Sequence, residues 1–192
     1  TAKVHGEPMG QENVDAMKRN FGYEYGPFEV PDEVYAHMKP IIDGKQAAED
    51  AWNALFAAYE KEYPELAARW KADHRQELPV DLLRDEAFWH FEGKAATRQS
   101  SGEVLNRLNA ILPNLFGGSA DLAPSNKTAL KGESSFSAEN YAGKTLHFGV
   151  REMAMTCACN GIALYGGLRT FCATFFVFAD YVKPALRLSA LM

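Results

Sequence analysis

Thr145-Leu146-His147-Phe148-Gly149-Val150-Arg151-Glu152 leads directly into Met153-Ala154-Met155-Thr156-Cys157-Ala158-Cys159-Asn160, the start of a stretch that carries no charge from Met153 to Leu168. The first four residues read as a short β-like run, Gly149 as the turn, and the uncharged stretch as a buried helix. A carboxylate, Glu152, thus stands at the doorway of that helix. Removing an ionised carboxylate from water costs several kcal/mol, so such a group is usually paired, metal-bound or held protonated. Glu152 is therefore the first functional candidate. The plainer alternative is a glutamate favoured by the helix dipole in the first turn, with Arg151 as a solvent-facing partner.

Working outward from this stretch, helices alternate with short apolar strands. Ser100-x-x-Glu103 has the spacing of a capping box, and Val104, Leu105, Leu108, Ile111 and Leu112 supply one buried helical face. Leu115-Phe116-Gly117-Gly118 reads as a strand entering the turn Ser119 to Asn126. On the other side, Leu168 to Ala173 reads as a strand, and a last helix starts near Phe175. This alternation predicts an α/β fold with a parallel sheet, whose ligands gather at the carboxyl ends of the strands.

Toward the amino terminus, His5 to about Pro40 reads as loop with a short helix near Gln11 to Asn20. Lys45 to Tyr63 reads as an amphipathic helix, with Trp52, Leu55, Phe56, Tyr59 and Tyr63 as a packing stripe. Pro64 opens a further helix through Leu66 and Trp70. From Gln76 to Gly93 the periodicity breaks around Pro79, as in a linker. The expected organisation is a first segment over 1–75, a linker over 76–93 and an α/β segment over 94–192. The chain does not begin with Met, and Ala185 to Met192 stops in mid-helix without a terminating Gly, Asn or Pro. The expectation is a fragment of a longer protein.

With 192 residues, 47% hydrophobic and 23% charged, the chain has the composition of a globular protein able to bury a core, which excludes disordered and collagen-like classes. No membrane span is expected, because Arg169, Asp180, Lys183 and Arg187 interrupt the apolar carboxyl-terminal half. No signal peptide is expected at Thr1 to Gly6. Residues 1–92 hold 10 Lys/Arg against 19 Asp/Glu, whereas 93–192 hold 10 against 6. The basic half also holds the Gly-rich turns, which favours an anionic small molecule; with no Lys/Arg cluster, nucleic acid is not an expected partner. Cys157, Cys159 and Cys172 read as reduced, buried thiols of a cytoplasmic protein. Cys157-x-Cys159 lacks the second ligand pair that structural zinc needs, so no metal site is expected among these residues.

Five motifs stand in order along the chain: His5-Gly6-x-Pro8; Ala96-Thr97-Arg98; Gly117-Gly118-Ser119-Ala120-Asp121-Leu122-x-Pro124-Ser125-Asn126; Gly149-Val150-Arg151-Glu152; and Phe175-x-x-Phe178-x-x-Tyr181. With the closing Arg187 to Leu191, they make the chain resemble the transketolase family over nearly its whole length. The resemblance implies a thiamine diphosphate enzyme that moves a two-carbon ketol unit from a ketose phosphate to an aldose phosphate. It also implies a homodimer with the cofactor between a diphosphate-binding and a pyrimidine-binding domain, and a cation, Mg2+ or Ca2+, whose ligands lie outside this chain. The chain would be the tail of the first domain, a helical linker segment and the first part of the second, inactive alone.

The same resemblance assigns roles. Glu152 would hydrogen-bond the aminopyrimidine nitrogen in protonated form and favour its imino tautomer. Phe178 would pack on that ring, with Phe175 and Tyr181 sharing its helical face. His5 would lie near the diphosphate and the substrate oxygens. Arg98 and Ser125 would grip the substrate phosphate. Asp121 would brace the turn or the dimer contact. The sequence departs from the family pattern at Met153, at Cys172-Ala173 in place of a common glycine-rich pair, and at Pro184, which is expected to kink or restart the last helix. Alternatives are another thiamine enzyme of the same build, such as dihydroxyacetone synthase, phosphoketolase or deoxyxylulose phosphate synthase, or a non-catalytic interaction module.

Overall fold

The computed structural model describes residues 2–75, 77–78 and 81–192, which form two compact units divided between Glu62 and Tyr63. The first holds a 3₁₀ turn (Ala2–His5) and two helices, α1 (Gln11–Phe21) and α2 (Asp32–Glu62). Helix α1 stops where Gly22 takes a left-handed φ of 64° and the Gly22 and Tyr23 amides close back on the Arg19 and Lys18 carbonyls.

Helix α2 is longer than the periodicity predicts. It starts at Asp32 and runs through Pro40, where a loop was expected. One interior proline costs about 3 kcal/mol, and helix formers on both sides carry the chain across it. None of its residues is buried: Trp52 stacks on Phe56 at 5.1 Å, yet Trp52 and Leu55 remain 49% and 69% exposed. Periodicity reports which residues share a face, not whether anything covers it.

The second unit begins with α3 (Pro64–His74), which has proline at its start as expected. The proposed linker contains a one-turn helix, α4 (Glu86–Trp89), capped by the Asp85 carboxylate on the Phe88 amide at 3.0 Å; Gln76 and Pro79 lie outside the described residues. Next come α5 (Thr97–Ile111), β1 (Leu115–Ser119), the single turn α6 (Ala123–Asn126), β2 (Thr145–His147), α7 (Glu152–Tyr165) and β3 (Arg169–Ala173). A 3₁₀ turn (Phe176–Tyr181) and α8 (Lys183–Leu191) complete it.

Helix α5 begins three residues before the Ser100-x-x-Glu103 box. The Gln99 side chain accepts from the Ala96 amide at 3.2 Å and takes over the reciprocal half of the cap, while Glu103 pairs with Arg107 one turn on. Pro184 restarts the chain as α8 because its missing amide is harmless in a first turn.

The three strands are parallel, in the order β2-β1-β3, and all five residues of the central β1 are buried. This is the α/β parallel-sheet fold expected from the alternation. Leu112, Leu115 and Leu130 form the core on one side, with Leu105, Leu108, Ile111 and Phe171 packed against them. On β3 the residues on either side of Phe171 point to the opposite face, which α7 covers through buried Met155, Thr156 and Cys159.

Two expectations for α7 are corrected. The helix is not buried all round: Leu164 is 61% and Tyr165 86% exposed, because only one face meets β3 and α8. Nor are the cysteines all buried. Cys159 is, but Cys157 and Cys172 are exposed. An uncharged helix signals what it tolerates, and the neighbours decide which face is covered.

Candidate cofactor and substrate site

Ser119, His147 and Ala173 are the last residues of β1, β2 and β3, so the chain leaves the sheet three times at its carboxyl edge. Each exit leads to an expected site residue: β1 to Ser125 in α6, β2 to Glu152 at the start of α7, and β3 to Phe175 before the 3₁₀ turn. Parallel strands open their carboxyl ends between diverging connections, and that is where side chains from distant parts of the sequence converge.

The first exit is tight. Asp121 and Leu122 both take left-handed backbone conformations, with φ of 58° and 50°, which most side chains avoid. The turn is held because the Ser125 and Asn126 amides both donate to the Leu122 carbonyl at 2.9 Å. Below it, the buried Asn126 amide donates to the Ser119 hydroxyl, which donates to the Ala173 carbonyl at 3.1 Å. This relay ties the Ser125 turn to the ends of β1 and β3. Ser119→Ala orphans the buried Asn126 amide, at a cost of about 1–3 kcal/mol. Chemical denaturation should show that loss, and unchanged stability would mean the relay carries no weight.

Glu152 is half-buried at the first position of α7. Its carboxylate makes no hydrogen bond or ion pair with any described residue. Arg151 does not serve it: the guanidinium donates to the Phe148 carbonyl at 3.0 Å. The plain ion-pair alternative is thereby removed. Instead the Glu152 backbone carbonyl accepts from Thr156 at 3.0 Å, leaving the carboxylate as a free acceptor.

Phe175, Phe178 and Tyr181 form a row. A 3₁₀ turn has three residues per turn, so side chains three apart eclipse one another. Phe175 and Phe178 lie 6.4 Å apart at 4°, and Phe178 and Tyr181 lie 6.2 Å apart at 25°. An α-helix was expected near Phe175; the tighter turn is what brings the rings near parallel. The turn packs on α7, the helix that Glu152 opens.

Arg98 is exposed in the first turn of α5 and pairs with no carboxylate among the described residues. It lines a cleft of about 500 Å³ with Asn126, Thr174 and Phe175, while half-buried Ser125 sits beside Asn126. The structure thus brings Arg98, the Ser125 turn and Phe175 together. Phe178 and Tyr181 follow Phe175 along the same turn. His5 is exposed in the first unit, on the 3₁₀ turn Ala2–His5.

Sequence reasoning missed a second group at the same edge. The Ser135 hydroxyl lies 2.8 Å from His147 Nε2, and both line a cleft of about 730 Å³ with Asp121, Glu133 and Arg151. Hydrogen bonds from Lys144 and Asn109 hold the Glu133 carboxyl below the usual glutamate range. The one available signal was His147, at the end of an otherwise apolar alternation. Nothing local pointed to Ser135.

These features suit a flat, nitrogen-containing ring: a stack of parallel aromatic faces and an unpaired acceptor on the packed helix. They do not suit a metal. Among the described residues, no group of three or more His, Cys, Asp or Glu side chains gathers to hold one. Among the described residues no helix is long and apolar enough to cross a membrane.

The α/β fold with its parallel sheet is of the thiamine diphosphate-binding class, as its family models show. Residues 93–192 match the family model for the transketolase pyrimidine binding domain, and residues 1–79 that for the transketolase thiamine diphosphate binding domain. The chain belongs to the transketolase family. It is 47% identical over 189 residues to a transketolase of Halalkalibacterium halodurans, covering 98% of this chain and 28% of that protein. It is also 47% identical over 194 residues to the Bacillus subtilis transketolase, covering 29% of it. The fold superposes on a transketolase of Pichia stipitis in complex with sedoheptulose 7-phosphate, with a TM-score of 0.80, 36% identity and 96% of this chain covered. A transketolase from Leishmania mexicana gives a TM-score of 0.77 at 35% identity. The chain spans less than a third of the length of these relatives.

Proposed function

We propose that this chain supplies the pyrimidine side of a thiamine diphosphate site in an enzyme that transfers a two-carbon ketol unit between sugar phosphates. The observation that carries this reading is the unpaired Glu152 carboxyl on the helix packed against the Phe175, Phe178 and Tyr181 row. When bound, thiamine diphosphate supplies the carbanion chemistry of the transfer. Glu152 holds the proton shared with the aminopyrimidine nitrogen, and the aromatic row orients that ring and excludes water from its face. His5, from the first unit, is assigned to the diphosphate and the substrate oxygens, where an imidazole can donate or relay a proton. Among the described residues no donor set for a divalent cation gathers, so Mg2+ or Ca2+ would be held by residues outside this chain.

Arg98 and Ser125 are assigned to the sugar phosphate. A guanidinium without a carboxylate partner, in the first turn of a 15-residue helix, is poised for a dianion, since the helix amides add partial positive charge there. Neighbouring Ser125 supplies a hydroxyl donor. Donor substrates of the kind crystallised with the Pichia stipitis relative, which carry a terminal phosphate, meet that requirement.

A homodimer is part of this reading. Phe176 and Val177 project from the site at 95% and 71% exposure, an apolar surface suited to burial against a second subunit. Cytoplasmic residence agrees with three cysteines that are free thiols. As domain organisation this reading takes 1–75, a linker over 76–93 and 94–192, close to the family-model bounds of 1–79 and 93–192, whereas the compact packing units divide earlier, between Glu62 and Tyr63.

The test separates phosphate binding from chemistry. In active enzyme containing this segment, Arg98→Ala should raise KM for phosphorylated ketoses about 10- to 100-fold, the range for one lost charge-assisted bond to phosphate. The KM for hydroxypyruvate, a donor without phosphate, should stay nearly unchanged. Equal changes for both donors would remove Arg98 from the phosphate site.

A further inference from the structure

Strand alternation and helix packing place two of the three thiols against each other. On β3, Phe171 points into the Leu112-Leu115-Leu130 core, so Thr170 and Cys172 point to the opposite face, where α7 lies. Cys159 is buried on the α7 side of that contact. Its thiol lies 3.9 Å from the Phe171 carbonyl, and its own carbonyl accepts from the Thr170 hydroxyl at 3.4 Å. The Cys159 side chain is thus held against residues 170–172, and Cys172 is itself a solvent-exposed residue.

We propose that Cys159 and Cys172 form a redox-active thiol pair that hydrogen peroxide converts to an intramolecular disulfide tying α7 to β3. The pair is suited to this by its asymmetry. The Cys159 thiol and the Thr156 hydroxyl act as donors toward the Cys172 sulfur, which brings the Cys172 pKa down to about 7. The same interaction, together with burial, raises that of Cys159. Cys172, the more exposed residue of the two, is therefore the one that ionises first and meets the oxidant, and buried Cys159 keeps its proton until the second step. Cys157, two residues before Cys159, points to another side of α7 and has no such partner among the described residues.

The chemistry balances in two steps. The Cys172 thiolate attacks one peroxide oxygen; an S–O bond forms, the O–O bond breaks, and the departing hydroxide takes a proton to become water. The Cys159 sulfur then attacks the resulting sulfenic acid. An S–S bond forms, the S–O bond breaks, and the departing hydroxide takes the Cys159 proton as a second water. Two thiols are oxidised by two electrons in all, one peroxide is reduced, and a dithiol reductant reverses the change. The bridge joins the helix opened by Glu152 to the strand that leads into Phe175, so it fixes two arms of the site relative to each other.

The experiment is oxidation of the intact protein with hydrogen peroxide, followed by blocking of remaining thiols, digestion and mass spectrometry. The expected product is a Cys159–Cys172 peptide pair lighter by two hydrogens and restored by dithiothreitol. Cys159→Ser should stop the reaction at a Cys172 sulfenic acid that dimedone captures. Cys157→Ser should leave the bridge intact. Before oxidation, Cys172 should react with iodoacetamide about tenfold faster than Cys157 near neutral pH. Failure to form the 159–172 bridge in the wild-type protein would overturn the proposal, as would preferential oxidation of Cys157. Because none of these readouts is catalytic, the outcome stands apart from the proposed ketol transfer.

Discussion

Glu152→Ala is expected to lower ketol-transfer activity on the order of a hundredfold or more, the usual cost of removing a positioned proton-transfer group. The fold should survive, because the carboxylate bonds to no described residue and its removal orphans no buried partner. The Thr156 bond at the head of α7 goes to the Glu152 backbone carbonyl and is kept. The measurement is kcat with cofactor saturating, alongside a denaturation curve of the same variant. Activity within about threefold of the parent would remove Glu152 from the proton path. A parallel collapse of stability would assign it to structure instead.

The second large effect is on stability. A Cβ built on Gly117 would stand 1.9 Å from the Phe171 carbonyl oxygen, and one on Gly118 would stand 1.8 Å from that of Leu146. Those oxygens belong to the neighbouring strands and cannot swing aside as a side chain would. Gly117→Ala must therefore push β1 and β3 apart in the middle of a fully buried strand, for an expected loss of about 3 kcal/mol, at the upper end of overpacking costs. Gly161 is the control. It lies inside α7 with nothing within 4 Å of a built Cβ, so Gly161→Ala should gain about 0.5–1 kcal/mol from helix propensity. Urea midpoints that move in opposite directions are the expected result. Equal midpoints would mean that the close strand approach is not maintained in solution.

Both effects bear on the site. Gly117 and Gly118 let three strands come close enough for their carboxyl ends to open onto one edge. The Ser119 relay then fixes the Ser125 turn to the end of β3. The thiol pair on the other face of β3 would act on the same arrangement from beneath. Sheet packing and site geometry are one structural problem here, because every assigned residue of the second unit lies on a connection leaving the sheet or on the helix α5 that precedes β1.

Local pattern alone carried the kind of fold, while the residues assigned to the site were named through the family resemblance. Short apolar runs separated by helical periodicity leave a parallel sheet as the solution, and the uncharged run after Glu152 marks a helix that must touch the core. Hydrophobic pattern is local chemistry, so it survives in the chain order. It could not determine boundaries that depend on competing partners. Helix α5 starts at Thr97 because Gln99, not Glu103, reaches the cap. Helix α2 passes through Pro40 because its flanks outweigh one lost amide.

Long-range proximity was set by packing. Arg151 turns away to the Phe148 carbonyl and leaves Glu152 unpaired; the sequence placed the two side by side and suggested the reverse. The aromatic row is near parallel because the chain tightens into a 3₁₀ turn, a choice made by packing against α7 and α8. Arg98 and Phe175 share a cleft although the rest of α5 and then β1, α6, β2, α7 and β3 lie between them in the chain. Cys159 and Cys172 become a pair, and Cys157 does not, because one face of α7 meets β3. Residue type sets what a side chain can do; the packing of distant segments sets what it meets, and no local pattern encodes that.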